Sequence, residues 1–252
     1  MEKDYRIPVL VRSMAVINCI SSQLEGIGFV ELQSRLDIPK TTLFRILHTL
    51  EKDDWIEKKN DRYLLGYKMI HYGMVTLSRR NLRTAALPYL RRLMEETEET
   101  AHLAVLSGKK SMIIEVCETA THIKMSSQVG SLISLHCSSH GKVLLAFAVK
   151  EPVEEFLNGV VFEKRTERTI TGMNDLVREI EHVREMGYAV DEREYFDNVR
   201  CLAAPVRGQD GEVIGAIGIT ATTMTFTEDR LPEFAETVVA VADRLSRDMG
   251  SV

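Results

Sequence analysis

The chain has 252 residues, 44% of them hydrophobic and 27% charged, with a formal net charge of −5. That content is enough to bury one small and one medium core. Residues 1–80 carry 13 Lys/Arg against 10 Asp/Glu, a net of +3, and residues 81–252 carry 19 against 27, a net of −8. A slightly basic head on an acidic body excludes a protein that coats polyanions along its whole surface.

In chain order, the first informative stretch is 29–65. Phe29, Leu32 and Leu36 recur at the three- and four-residue intervals of one helix face. Asp37-Ile38-Pro39 ends that helix, because the residue before a proline avoids helical geometry. Pro39 also suits the first turn of a second helix, whose buried stripe is Leu43, Ile46, Leu47 and Leu50. Lys40, Thr41, Thr42, Arg45 and His48 fall off that stripe, and residues 38–49 contain no carboxylate to repel a phosphate backbone. Trp55–Lys59 and Arg62–Leu65 flank an Asn60-Asp61 turn, which reads as a hairpin with basic residues near its tip. Helix, turn, helix and wing in this order predict a DNA-binding winged helix-turn-helix.

Residues 67 to about 80 keep helical spacing, and the pattern resumes from Leu82 to Glu99. A helical connector transmits a rotation or a change in subunit spacing, which a Gly/Ser tether cannot. Beyond it, strand-like runs at 100–106 and 111–117 surround a Gly108-Lys109-Lys110 turn, and Ile123–Ser126 reads as a third strand. A second hairpin joins 200–207 to 212–221, and helices are expected at about 139–149, 151–158, 173–186 and 228–249. An antiparallel sheet with helices on its faces is an α+β arrangement.

Cys19, Cys117, Cys137 and Cys201 show no CxxC spacing, which predicts free thiols in a reducing compartment. No apolar run is long enough to span a membrane, and MEKDYRIP lacks a signal-peptide core, so a cytoplasmic location is expected. His136 and His140 have metal-ligand spacing, yet no third ligand stands nearby. No glycine-rich phosphate loop is present either, so neither metal nor cofactor is expected.

Several motifs together make the chain resemble the IclR family of bacterial transcriptional regulators over nearly its whole length. They are Arg12-Ser13, Leu36–Thr42 with Arg45, Leu64-Leu65-Gly66, Ser134-Leu135-His136, Gly141-Lys142 with Leu144–Ala146, Gly187–Glu192 and Val199–Val206. The resemblance implies a winged helix-turn-helix domain at 1–66, a linker helix at 67–83 and a GAF-like effector-binding domain at 84–252. It implies no enzymatic activity, and a homodimer or dimer of dimers on a pseudo-palindromic double-stranded operator. The expected outcome is repression of a metabolic operon under control of a small carboxylate.

Expected DNA contacts are Arg12, Lys40, Thr41, Thr42 and Arg45, with Lys58, Lys59 and Arg62 of the wing holding phosphates. The exposed backbone N–H groups where residues 135–142 enter a helix suit the carboxylate of a small acid. By resemblance, Ser139, His140, Asp191, Cys201, Gly218 and Thr220 line the ligand pocket. Relatives often carry smaller residues at 139–140, so the ligand's identity does not carry over. The competing expectation is a cysteine enzyme, with Cys201 as nucleophile, His140 as base and Asp191 orienting it.

Overall fold

In a computed structural model, described for residues 5–79, 82–119 and 128–251, the chain divides into two compact units, Met1–Arg80 and Asn81–Val252. The first unit contains α1 (Pro8–Ser21), β1 (Ile27–Gly28), α2 (Phe29–Arg35), α3 (Lys40–Lys52), β2 (Ile56–Lys59), β3 (Arg62–Leu65) and α4 (Tyr67–Arg79). Val16 and Ile20 of α1, Leu32 of α2, and Leu43, Ile46 and Leu47 of α3 pack with Ile27, Ile38, Ile56 and Tyr63 into one core.

Pro39 is not in the first turn of α3, as its sequence context predicts, but is its N-cap, with ψ 137°. Its carbonyl accepts the first helical bond, from the Leu43 N–H at 2.9 Å. Asn60 and Asp61 have φ of 51° and 59°, the left-handed pair that a two-residue hairpin requires. The wing has a third strand that sequence reading missed. The two-residue β1 pairs antiparallel with β3, Ile27 opposite Tyr63, giving the order β1-β3-β2. A strand this short leaves too little alternation to recognise.

The linker helix belongs to the first unit. Tyr72 of α4 stacks on Trp55 at the base of the wing, centroids 5.3 Å apart, and the Lys68 ammonium lies 5.3 Å over the same ring. Gly66, between wing and helix, has no room for a side chain: a Cβ there meets the Asp54 carbonyl oxygen at 2.2 Å.

The second unit contains α5 (Leu82–Thr97), β4 (Thr100–Ser107), β5 (Lys110–Cys117), β6 (Leu132–Ser134), α6 (Ser139–Phe147), α7 (Val153–Phe156), α8 (Met173–Met186), β7 (Ala189–Glu192), β8 (Val199–Arg207), β9 (Val213–Thr222) and α9 (Leu231–Asp248). The strands form one antiparallel sheet in the order β6-β5-β4-β9-β8-β7. Period-two alternation divides its side chains between two cores. Leu103, Leu202, Ala204, Ile217 and Ile219 meet α5 and α9, while Ala189, Ala203 and Ala216 meet α6, α7 and α8. Small residues on the second face let α6 lie close to the sheet. The expected strand at 123–126 falls outside the described residues, whereas the sheet's edge strand β6 was not foreseen.

Gly66→Ala is expected to destabilise the first unit by about 1–3 kcal/mol, because relieving the overlap with Asp54 moves backbone. A lowered urea midpoint for the unfolding of that unit, with Gly73→Ala as a control in open space, checks this.

Candidate functional site

On α3, residues 41, 44, 45 and 48 stand at the intervals of one helix face, and all four are exposed. Lys40 is exposed at its first turn and Thr42 is half-buried beside it. Arg12 is exposed on α1 and Lys59 on β2. The remaining expected wing cations are engaged within the unit. Lys58 pairs with Asp61 at 2.9 Å and lies 5.7 Å from the Tyr63 ring centroid. Asp61 raises its ammonium pKa through that hydrogen bond.

Arg62 donates from Nη2 to the Gly26 carbonyl at 2.7 Å and from Nε to the Glu25 carbonyl at 3.0 Å. Its guanidinium therefore ties β3 to the turn before β1 and is committed as a brace. Spacing alone gave no sign of this, because the acceptors are main-chain groups about 36 residues away.

In the second unit a cavity of about 360 Å³ opens against the sheet face that carries α6. His140, Asp191, Cys201 and Thr220 of the expected ligand residues line it, together with Ser131, Leu132, Ile133, Ser138, Tyr195, Phe196 and Val199. Sheet register explains the grouping: Asp191 of β7, Cys201 of β8 and Thr220 of β9 are directly opposed across three adjacent strands. Ser139 and Gly218 are not in the lining. Ser139 is fully buried, and its hydroxyl has no hydrogen-bond partner among the described residues, while a Cβ on Gly218 meets the Leu202 carbonyl oxygen at 2.1 Å.

α6 enters this wall at close range. Gly141 permits it, since a Cβ there meets the Leu135 carbonyl oxygen and Ser138 Oγ at 2.5 Å. The Ser138 hydroxyl donates back to the Ser134 carbonyl at 2.8 Å and does not cap the helix. Among the described residues no side chain caps the first turn of α6, whose amides are the donors a helix leaves for a cap or a ligand.

The polar groups of the floor form a connected set. Thr220 Oγ1 lies 2.9 Å from His102 Nε2 and 3.2 Å from Cys201 Sγ, and His140 Nδ1 lies 3.1 Å from Ser111 Oγ. The two imidazoles meet edge to face at 5.2 Å. Burial pushes the His102 pKa down to about 4. Burial, and next the neighbouring His102, hold His140 well below the ordinary imidazole range. Both are neutral near pH 7. Asp191 is pushed up to about 7, first by burial and then by the nearby Glu194 carboxylate, although its Oδ1 accepts the Glu194 N–H at 2.7 Å.

Glu194 is held in turn by Lys142, a fully buried lysine on α6 whose ammonium also reaches Glu179 of α8, both at 2.7 Å. Thr169 Oγ1 donates to the Glu194 carbonyl at 2.7 Å, and Thr166 Oγ1 to the Arg193 carbonyl at 2.8 Å. The 193–196 loop that carries Tyr195 and Phe196 into the cavity wall is fixed from three sides. At the end of β7, Glu192 is held by its cross-strand partner Arg200 of β8, which forks onto both carboxylate oxygens and also donates to the Phe226 carbonyl.

The IclR helix-turn-helix domain model matches residues 9–59, and that of the bacterial transcriptional regulator IclR C-terminal domain matches residues 74–247. The chain belongs to the IclR family. The HTH-type transcriptional regulator KdgR of Escherichia coli strain K12 is 31% identical over 96% of this chain and 92% of its own length. BhcR of Paracoccus denitrificans, also an HTH-type transcriptional regulator, is 31% identical over 96% of this chain and 88% of its own. The Thermotoga maritima IclR crystal structure shares the fold at a TM-score of 0.73, with 28% identity over 97% of this chain and all of that one.

This IclR-family chain is a DNA-binding transcriptional regulator with an effector-binding second unit. The cysteine-enzyme expectation is not supported: the curated relatives are regulators. The chemistry agrees, since burial and then Asp191 raise the Cys201 pKa well above the usual thiol range, leaving the weaker nucleophile. Among the described residues no helix is long and apolar enough to cross a membrane.

The Asp191 carboxyl predicts a pH effect of definite sign. An unfolded aspartate loses its proton near pH 3.9, whereas Asp191 keeps it to about 7 when folded. Folding takes up a proton in that window, so this group's contribution falls as pH rises from about 4 to 7 and is then flat. His102 acts with the opposite sign between about pH 4 and 6.5, because only the unfolded state is protonated there. Asp191→Asn isolates the first effect. Across the window, wild type is expected to lose up to about 1.4 kcal/mol per pH unit relative to the variant, measured by urea unfolding.

Proposed function

We propose that this chain is a repressor that works in the cytoplasm on a pseudo-palindromic operator, as a homodimer or pair of dimers, under control of a small organic carboxylate. The observation that carries the effector reading is the cavity wall at the start of α6. Uncapped first-turn amides stand there beside His140 and Asp191, with Cys201 and Thr220 opposite. Helix amides favour an anion, and a protonated Asp191 donates a hydrogen bond to it.

Two relatives support the reading by their names and ligands alone. AllR of Escherichia coli strain K12, 27% identical over 96% of this chain, is a transcriptional repressor. An IclR homolog from Microbacterium hydrocarbonoxydans, of the same fold, is complexed with 4-hydroxybenzoate, a carboxylate.

Lys40, Thr41, Thr42 and Arg45 contact the major groove in this reading, with Arg12 and Lys59 on the flanking backbone. Lys58 contributes after exchanging Asp61 for a phosphate, and Arg62 holds the wing in shape. A single head offers few contacts, so two heads per operator supply useful affinity and fix half-site spacing. Signal transfer runs through α4, whose Tyr72 and Lys68 grip Trp55 at the root of the wing.

Arg45→Ala is expected to abolish sequence-specific binding to DNA from upstream of its own gene, while leaving the melting temperature unchanged. Lys59→Ala weakens binding to all sequences and reduces the magnitude of the salt slope by about 1. Full affinity in Arg45→Ala contradicts the placement of the recognition helix.

For the effector, small hydroxy- and keto-carboxylates are expected to raise the melting temperature of wild type and not of Asp191→Ala. The affinity falls as pH rises through about 7, because deprotonated Asp191 repels the anion. A panel that shifts neither protein sinks the carboxylate reading.

A further inference from the structure

One residue on the recognition face has no place in an inventory of cations and hydroxyls. Phe44 of α3 is 60% exposed, between Thr41 and Arg45 on the same helix face. Its ring is stacked parallel with His48, centroids 6.3 Å apart and planes 3° from each other. A lone surface phenylalanine on an arbitrary face carries no message. This one stands in a segment, 38–50, that contains Lys40, Arg45 and His48 and no carboxylate. The surface around the ring is thus complementary to a polyanion, and the His48 imidazole lies parallel beside the ring.

Thr41, Arg45 and His48 can hydrogen-bond to phosphates or base edges, but a phenyl ring cannot. The apolar feature that the major groove offers is the C5-methyl group of thymine, which distinguishes T from C at the same edge. We propose that Phe44 is a specificity-determining residue that reads thymine, its ring packing on a thymine methyl in the groove occupied by α3. The inference rests on the chain being a DNA-binding regulator and adds what it reads. At least one thymine per half-site is selected by contact with Phe44, beside the position that Arg45 contacts.

The test uses the full chain and a duplex enriched by it from a randomised pool. Each thymine of that duplex is replaced singly by deoxyuridine, which keeps every Watson–Crick and groove hydrogen bond and removes only the methyl. Wild type is expected to lose about fourfold in affinity at one or two positions per half-site, the effect of withdrawing one buried methyl from contact. Phe44→Ala, a surface change expected to preserve the melting temperature, binds the thymine and deoxyuridine duplexes equally. Phe44→Leu, which keeps an apolar side chain, retains part of the discrimination.

Equal binding of every deoxyuridine duplex by wild type overturns the proposal, as does undiminished discrimination in Phe44→Ala. A Phe44→Ala chain that binds DNA like wild type but changes its oligomeric state makes the ring a protein contact and also overturns it. Enrichment of no duplex by the wild-type chain contradicts the DNA-binding reading itself, and so separates that failure from this one.

Discussion

A lysine with 1% of its surface exposed needs compensating charge, because an unpaired ammonium in the interior costs several kcal/mol. Lys142 finds Glu194 and Glu179, and the requirement fixes α6, α8 and the loop after β7 relative to one another. The carboxylates overcome the opposing effect of burial and hold the ammonium pKa above its ordinary value. One wall of the cavity follows from this anchor. The Glu194 amide holds Asp191, the next residues place Tyr195 and Phe196 in the wall, and α6 is held where its first turn meets the ligand space. Truncating Lys142 leaves two carboxylates without their partner, the situation in which buried pairs are most damaging to break.

The first unit rests on a different constraint. Its elements are fixed by contacts within the unit itself: the left-handed Asn60-Asp61 turn, the Arg62 brace on Glu25 and Gly26, and Gly66 against Asp54. These leave Lys40, Thr41, Phe44, Arg45 and His48 exposed on α3. A face whose supporting elements are already fixed reduces the ordering cost of binding.

Strong periodicity and turn chemistry were legible in the sequence. The α3 stripe of Leu43, Ile46 and Leu47, the wing turn and the 173–186 helix stand where spacing puts them. Three expected pocket residues, Asp191, Cys201 and Thr220, converge because three adjacent strands bring them into register, and α6 adds His140, an arrangement that motif order implies and spacing alone cannot. The rest was hidden for physical reasons. β1 and β6 are too short to show alternation. Tyr195 and Phe196 enter the wall through a loop whose path is set by Lys142, some 50 residues away, and Arg62 looks like a free cation until its main-chain acceptors are seen. Phe44 lies outside the polar categories by which DNA-contacting residues are sought.

Control by an effector requires that the cavity in the second unit and the recognition face in the first be thermodynamically coupled. Reciprocity gives the most direct measurement: the affinity of the full chain for its operator duplex with and without a saturating carboxylate, and for that carboxylate with and without the duplex. Coupling requires that both affinities change by the same factor, about 5- to 150-fold in typical cases, and that Asp191→Ala abolish the change without altering duplex affinity in the carboxylate's absence. A carboxylate that binds the cavity and leaves duplex affinity untouched would contradict it.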